Sequence, residues 1–259
     1  DAQESRGLGD VYKRQDIGLV REENQDMVKV EEFYGNLLAV VCDGMGGERS
    51  GQDASRIAIK EFFDRFDSGY SPYLETIGVR QLMTASVSAA NSVIYTTARM
   101  NYRSYGMGTT CVAAYIDSKY IYILNVGDSR AYYMDESGLH QITSDHTLVN
   151  MLLMQGKIEP DEVHTHPKRN MLTKAVGVEK VIKPDFFRMK REDKFTLLLC
   201  SDGLSGYCSD SEIFEIMKST PLEEVNSALI DLALSKGGRD NITLSLIHIS
   251  EPTRLLSIS

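Results

Sequence analysis

With 259 residues, 42% of them hydrophobic and 25% charged, the chain has an ordinary globular composition, which excludes a disordered or membrane-embedded protein but fits either one large domain or two small ones. Its formal net charge of −9 excludes a broad nucleic-acid-binding surface, which needs a basic stripe, and leaves cations welcome. No apolar run approaches the roughly 20 residues that cross a bilayer, the start lacks a signal-peptide pattern, and Cys42, Cys111, Cys200 and Cys208 show no pairing motif, so a cytoplasmic protein with reduced, buried thiols is expected.

Residues 1–15 lack usable periodicity and, like residues 245–259, resemble translated read-through of a sequencing adapter; both are expected to be non-native or disordered tails around a domain over 16–244. MVKVEEF and NLLAVVC predict two strands joined by a turn at Tyr34, Gly35 and Asn36. Ala54, Ile57, Ala58, Phe62 and Phe66 recur at helical spacing within 51–66, and Leu82, Ala85, Ala89, Val93 and Thr97 repeat the pattern in a second helix. TTCVAAYI, KYIYILNV and AYYM predict a β-meander, turning first at Asp117 and Ser118 and then at GDSR. Ser144 is expected to cap a short helix that carries Leu148, Met151 and Leu152 and stops at Gly156, followed by a polar irregular stretch to Arg169. FTLLLC predicts a buried strand, Ser209 with Glu212 and Thr220 with Pro221 and Glu223 mark two helix starts, and a final strand begins at Asn241. Strands, two helices, more strands, then two helices and a strand point to a sheet sandwich flanked by helices rather than to alternating βαβ units.

Aspartates stand at apolar strand ends in VVCDGMGG (Asp43), LNVGDSR (Asp128) and LLCSDGLSG (Asp202), and just before a strand in GGRDNIT (Asp240). Singly, each Asp-Gly or Asp-Ser is an ordinary turn dipeptide. Strand ends of one sandwich can converge, however, and converging carboxylates repel unless a cation lies between them. Such oxygen donors suit magnesium or manganese, and no His/Cys cluster suits zinc; His164 and His166 sit in the polar stretch and are given no metal. Gly44, Gly46 and Gly47 would allow close backbone approach or positive φ beside Asp43. No GxxxxGK[ST] supports a P-loop, and no Cys-X5-Arg supports a covalent phospho-enzyme.

DIGLVREENQD, DGMGG, GMGTT, VGDSR, SDGL and GGRDNIT follow one another in the order found in the PPM family, the PP2C-type protein phosphatases, and the chain resembles the compact bacterial branch of that family from Asp16 to Thr243. The resemblance implies an α+β fold, an αββα sandwich of two antiparallel sheets, with two Mn²⁺ or Mg²⁺ ions and an activated bridging water that hydrolyses phosphoserine and phosphothreonine. By motif, Asp43 would bridge both ions, the Gly44 carbonyl would bind the second, Asp202 and Asp240 the first, and Asp128 a third, weaker ion. Asp26 and Gln25 would support the metals' waters from behind, Gln25 standing where some members have a glutamate. Arg21 would hold the phosphate as a planar fork, although by its neighbours alone it could equally pair with Glu22 or Glu23. Met45 stands where animal members carry a histidine proposed as general acid, and a thioether donates no proton; His146 in SDHT is read as structural. The implied partners are phosphorylated proteins and an opposing Ser/Thr kinase, met by a monomer without nucleic acid or membrane. A catalytically weak phosphoprotein-binding regulator and a hydrolase of small phosphoesters are the alternatives.

Overall fold

The computed structural model describes residues 2–5, 9–47, 50–100, 102–163 and 165–250. In chain order the elements are β1 (Ala2–Ser5), β2 (Gly9–Asp16), β3 (Asp26–Phe33), β4 (Asn36–Met45), α1 (Ser50–Gly69), α2 (Thr76–Met100), β5 (Gly108–Thr109), β6 (Cys111–Ile116), β7 (Tyr120–Val126), β8 (Arg130–Asp135) and β9 (Gly138–Gln141). There follow α3 (Leu148–Met154), β10 (Asp185–Lys190), β11 (Phe195–Cys200), α4 (Asp202–Ser205), α5 (Asp210–Ser219), α6 (Val225–Ser235) and β12 (Ile242–Ile249). Antiparallel pairing builds one sheet in the order β1-β2-β12-β11-β8-β9 and a second in the order β10-β7-β6-β4-β3, with β5 appended to β4.

Central strands here are apolar without alternation because both of their faces are covered. In β4, Leu38, Val40 and Cys42 face the helix pair α1 and α2, whereas Leu37, Ala39 and Val41 face the other sheet. In β11, Leu197 and Leu199 enter the inter-sheet core while Leu198 and Cys200 pack with α5 and α6. Three stacked cores therefore separate four layers, helix–sheet–sheet–helix, which is the expected αββα sandwich. All four cysteines are buried free thiols.

Local chemistry explains the connections that the sequence predicts well. Tyr34 and Gly35 both lie in the left-handed region, at φ 49° and 79°, the mirror-image turn whose twist matches a β-hairpin. Ser209 and Glu212 form the complete capping box of α5.

Several expectations need correction. AYYM does not continue a meander: after GDSR the chain leaves the second sheet, and β8 pairs with β11 and β9 in the first. The buried stripe of α2 runs through Val79, Met83, Val87, Ala90, Ile94 and Ala98, one position round from Ala85, Ala89, Val93 and Thr97, and Val93 is exposed. Adjacent four-residue ladders in so apolar a helix look alike, and the ladder with the larger side chains wins because burial rewards area. Thr147, not Ser144, caps α3, accepting a hydrogen bond from the Asn150 amide. Thr220 closes α5, and a 3₁₀ turn at Leu222–Glu224 precedes α6.

The expected tails also carry structure where they are described. β2 pairs with β12 over Asp16↔Ile242 to Asp10↔His248, Val11 is buried between the sheets, and Gln15 donates to the Asp26 carbonyl at 3.1 Å. Residues 245–249 complete β12; residues 1, 6–8 and 251–259 lie outside the described residues, as does His164. A period-two strand with a single buried apolar residue gives almost no sequence signal, because its partner is more than two hundred positions away. Deleting residues 1–15 strips β12 of a partner and is expected to lower the melting temperature by about 5–10 °C. An unchanged melting curve of the truncated protein would contradict this pairing.

Candidate active site

A cavity of about 760 Å³ opens where the ends of both sheets meet, and Asp43, Gly44, Asp128, Asp202, Asp240, Arg21 and Gln25 all line it. Asp43 and Gly44 end β4, Asp128 sits in the crossover between β7 and β8, Asp202 opens α4 directly after β11, and Asp240 precedes β12. Arg21 and Gln25 come from the loop between β2 and β3. Asp26 does not line the cavity: it is the cross-strand partner of Asp43, 3% exposed, and accepts a 2.6 Å hydrogen bond from the Ser201 hydroxyl. Residues remote in sequence are thus brought to one place, with Asp26 behind them.

The supports were less visible in the sequence. The Asp43 amide donates to Thr110 Oγ1, and its carbonyl accepts from the Thr110 amide and from Thr109 Oγ1, each at 2.8 Å. Thr110 in turn shares a 2.7 Å hydroxyl contact with Ser129, next to Asp128. Asn241 pins the arginine loop: its Oδ1 accepts from the Gln25 amide at 2.8 Å, and its Nδ2 donates to the carbonyls of Ile17 and Glu23 at 2.9 and 3.0 Å. GMGTT and RDNIT contain these residues, but a Thr or Asn carries no signal of what it will bond until the fold is assembled. The three glycines after Asp43 differ. Gly44 lies against the backbone of Gly51 and Gln25, Gly46 adopts φ +146°, and Gly47 has open space around it.

Burial first, and then repulsion from Asp26, Asp202, Asp128 and Asp240, push the Asp43 carboxyl well above the usual carboxylate range. Burial and the charges of Asp202 and Asp145 do the same to Asp128. Asp202 is pushed up to about 6 by burial and by Asp240, against the opposing effects of a hydrogen bond with Asp43 and the charge of Arg21. Asp26 rises to about 7 through burial, although hydrogen bonds from Ser201 and Thr243 counter it. Arg21, half-exposed, pairs with Asp240 at 2.8 Å rather than with Glu22 or Glu23.

Among the described residues no group of three or more His, Cys, Asp or Glu side chains could hold a metal ion as it stands. The donor set nevertheless fits a hard divalent cation. It consists of carboxylate oxygens, and Asp202 Oδ1 is buried with no hydrogen-bond partner, an acceptor whose desolvation only a cation or a donor would offset. Met45 lines the cavity and can move no proton. His146 does not line it: its Nδ1 accepts from the Gly127 amide at 3.0 Å and its Nε2 lies 3.2 Å from Asp185, which fixes the chain just before Asp128.

Residues 20–231 match the model of the family described as protein phosphatase 2C. A serine/threonine phosphatase, stp, of Listeria monocytogenes is 37% identical over 237 residues, which cover 91% of this chain and 94% of that protein. The crystal structure of the serine/threonine phosphatase Stp1 from Staphylococcus aureus has a TM-score of 0.87 at 36% identity, over 96% of this chain and 99% of the other. The catalytic domain of the serine/threonine protein phosphatase PstP in complex with two manganese ions has a TM-score of 0.79 at 32% identity, over 93% of this chain and 98% of its own.

Proposed function

Since the chain belongs to the protein phosphatase 2C family, we propose that it is a metal-dependent protein serine/threonine phosphatase that removes phosphate from phosphoproteins with Mn²⁺ or Mg²⁺. The observation that carries this reading is the one cavity that Asp43, Asp128, Asp202 and Asp240 line together with the half-exposed Arg21, with Asp202 Oδ1 left without a hydrogen-bond partner. Asp43, the Gly44 carbonyl, Asp202 and Asp240 would hold two ions, Asp128 a third, and Asp26 and Gln25 would steady the waters behind them. When bound, the cations supply Lewis-acid charge for the phosphoryl oxygens and a water acidic enough to attack near neutral pH.

The chain's own groups do the rest. Arg21 presents a planar fork that can grip two phosphoryl oxygens, and its present partner Asp240 is the carboxylate that a cation would claim. Metal and phosphate would therefore cooperate: with Asp240 committed to a cation, Arg21 would be free to turn to the substrate. Asn241 keeps the arginine loop from drifting by bonding both of its ends. The backbone of Asp43, held by Thr109 and Thr110, fixes the central carboxylate without reorganisation during the reaction. Among the described residues no helix is long and apolar enough to cross a membrane.

Phosphate release from a phosphothreonine peptide tests the reading. Turnover should require Mn²⁺ or Mg²⁺, stop with EDTA, and return when metal is restored. Release that EDTA leaves untouched would remove the metal from the reaction.

A further inference from the structure

Another part of the cavity lining comes from the segment 172–183, which brings Lys174, Glu179 and Lys183 but also Val178 and Val181, and these two valines together with Met45 present apolar side chains to the same space as the carboxylates. Val178 is 47% exposed and Val181 69%, although a solitary exposed valine would mean nothing. What singles them out is that the backbone beneath them is fixed. Asn91, 1% exposed on α2, uses its whole side chain on this turn: Oδ1 accepts from the Gly177 amide at 2.7 Å, and Nδ2 donates to the carbonyls of Glu179 and Lys180 at 2.9 and 3.3 Å. Thr109 and Val176 exchange two backbone hydrogen bonds of 3.0 and 2.8 Å. Gly177, at φ +92°, lies so close to α2 that a Cβ would come within 2.1 Å of Ile94 Cγ2. Buried polar groups rarely converge on a surface loop without fixing something that matters. Here they hold apolar side chains at the rim of a cavity whose lining is otherwise rich in charge.

We propose that Val178, Val181 and Met45 form an apolar subsite for a side chain flanking the phosphorylated residue of the substrate, so that phosphorylation sites with an apolar neighbour are preferred. This rests on the phosphatase reading above. With the phosphoryl group at Arg21 and the carboxylates, an extended peptide must leave the cavity over one of its walls, and each residue advances it about 3.3 Å, so the adjacent side chains reach the rim. Continuity of the valine wall with the catalytic cavity makes the substrate itself the occupant. An apolar side chain set there gains from leaving water, and a polar one does not.

Two phosphothreonine peptides, alike except that the residues on either side of the phosphothreonine are leucine in one and serine in the other, measure the preference as a ratio of kcat/KM. The wild-type ratio should favour leucine by roughly tenfold, as expected for a small apolar subsite. Val178→Thr combined with Val181→Thr keeps shape while removing apolarity, and should bring the ratio close to one. Equal turnover of both peptides by the wild-type enzyme, or a preference that survives the double substitution, overturns the subsite alone. Hydrolysis of an aryl phosphate by the wild-type protein, with Mn²⁺ and with EDTA, checks the parent reading separately: no EDTA-sensitive release from it or from either peptide would overturn both.

Discussion

Asp202→Asn is expected to cut Mn²⁺-supported release of phosphate from a phosphothreonine peptide by about three orders of magnitude, while raising the melting temperature of metal-free protein. The first effect follows because a metal pair supplies several kcal/mol of transition-state charge stabilisation, and each 1.4 kcal/mol or so is a factor of ten. The second follows from burial. A native carboxyl pushed from 3.8 to about 6 is one whose charged form destabilises the fold, on the order of 3 kcal/mol above pH 6, and the neutral amide lacks that cost.

Asp202 and Asp26 bind protons more tightly folded than unfolded, so their stabilising contribution is complete below the unfolded pKa near 3.8 and is lost as pH rises through about 6 and about 7. Metal-free protein should therefore lose stability between pH 4 and about 7, and Asp202→Asn should flatten that slope. Carboxylates whose pKa is lowered, such as Asp185, held by Lys174 and His146 against burial, act in the opposite sense but below pH 4. Because a cation needs the ionised form, the melting-temperature gain on adding Mn²⁺ should grow across the same interval. Thermal scans of both proteins at pH 5 and pH 8, with Mn²⁺ and with EDTA, check all of these signs, and a metal-free wild type that is more stable at pH 8 would refute them.

Gly44→Ala is expected to be destabilising by about 4 kcal/mol or more, or to prevent folding altogether. A Cβ there would stand 2.0 Å from the Gly51 carbonyl oxygen, 2.4 Å from its carbon and 2.7 Å from the Gln25 carbonyl, all backbone atoms that no rotamer change can move. The first turn of α1 rests on the end of β4 only because that Cβ is missing. Gly47→Ala is the control, since nothing lies within 4 Å of its position, and it should change stability by less than about 0.5 kcal/mol. Denaturant melts of the pair separate a packing requirement at Asp-Gly from ordinary turn flexibility, and equal losses in both would favour flexibility.

How far the sequence could be read depended on whether the information was local. The Tyr34–Gly35 turn and the Ser209–Glu212 box are complete within a few residues, and both appear in the structure as expected. The crossover of β8 into the other sheet and the pairing of β2 with β12 are decided by partners 62 or more positions away, and no periodicity announces them. In the site, Asp43, Asp128, Asp202 and Asp240 stood out only as a set, each being singly an ordinary turn residue beside an apolar strand, and Arg21 only through the motif in which it stands. Asn241, Thr110 and Asn91 did not, because each is an ordinary polar residue whose role comes from what packs beside it. Val178 and Val181 were hidden for the opposite reason: their residue type predicts burial, and the structure leaves them exposed.

The direct test of the central claim, that carboxylates from separate strand ends together hold paired divalent cations, is the number of Mn²⁺ ions bound per chain, titrated and read by electron paramagnetic resonance for wild type and Asp43→Asn. Two tightly held ions in the wild type and loss of both in the variant is the expected result. A wild type that binds no Mn²⁺ at millimolar concentration, or a variant that binds as many ions as tightly, would contradict it.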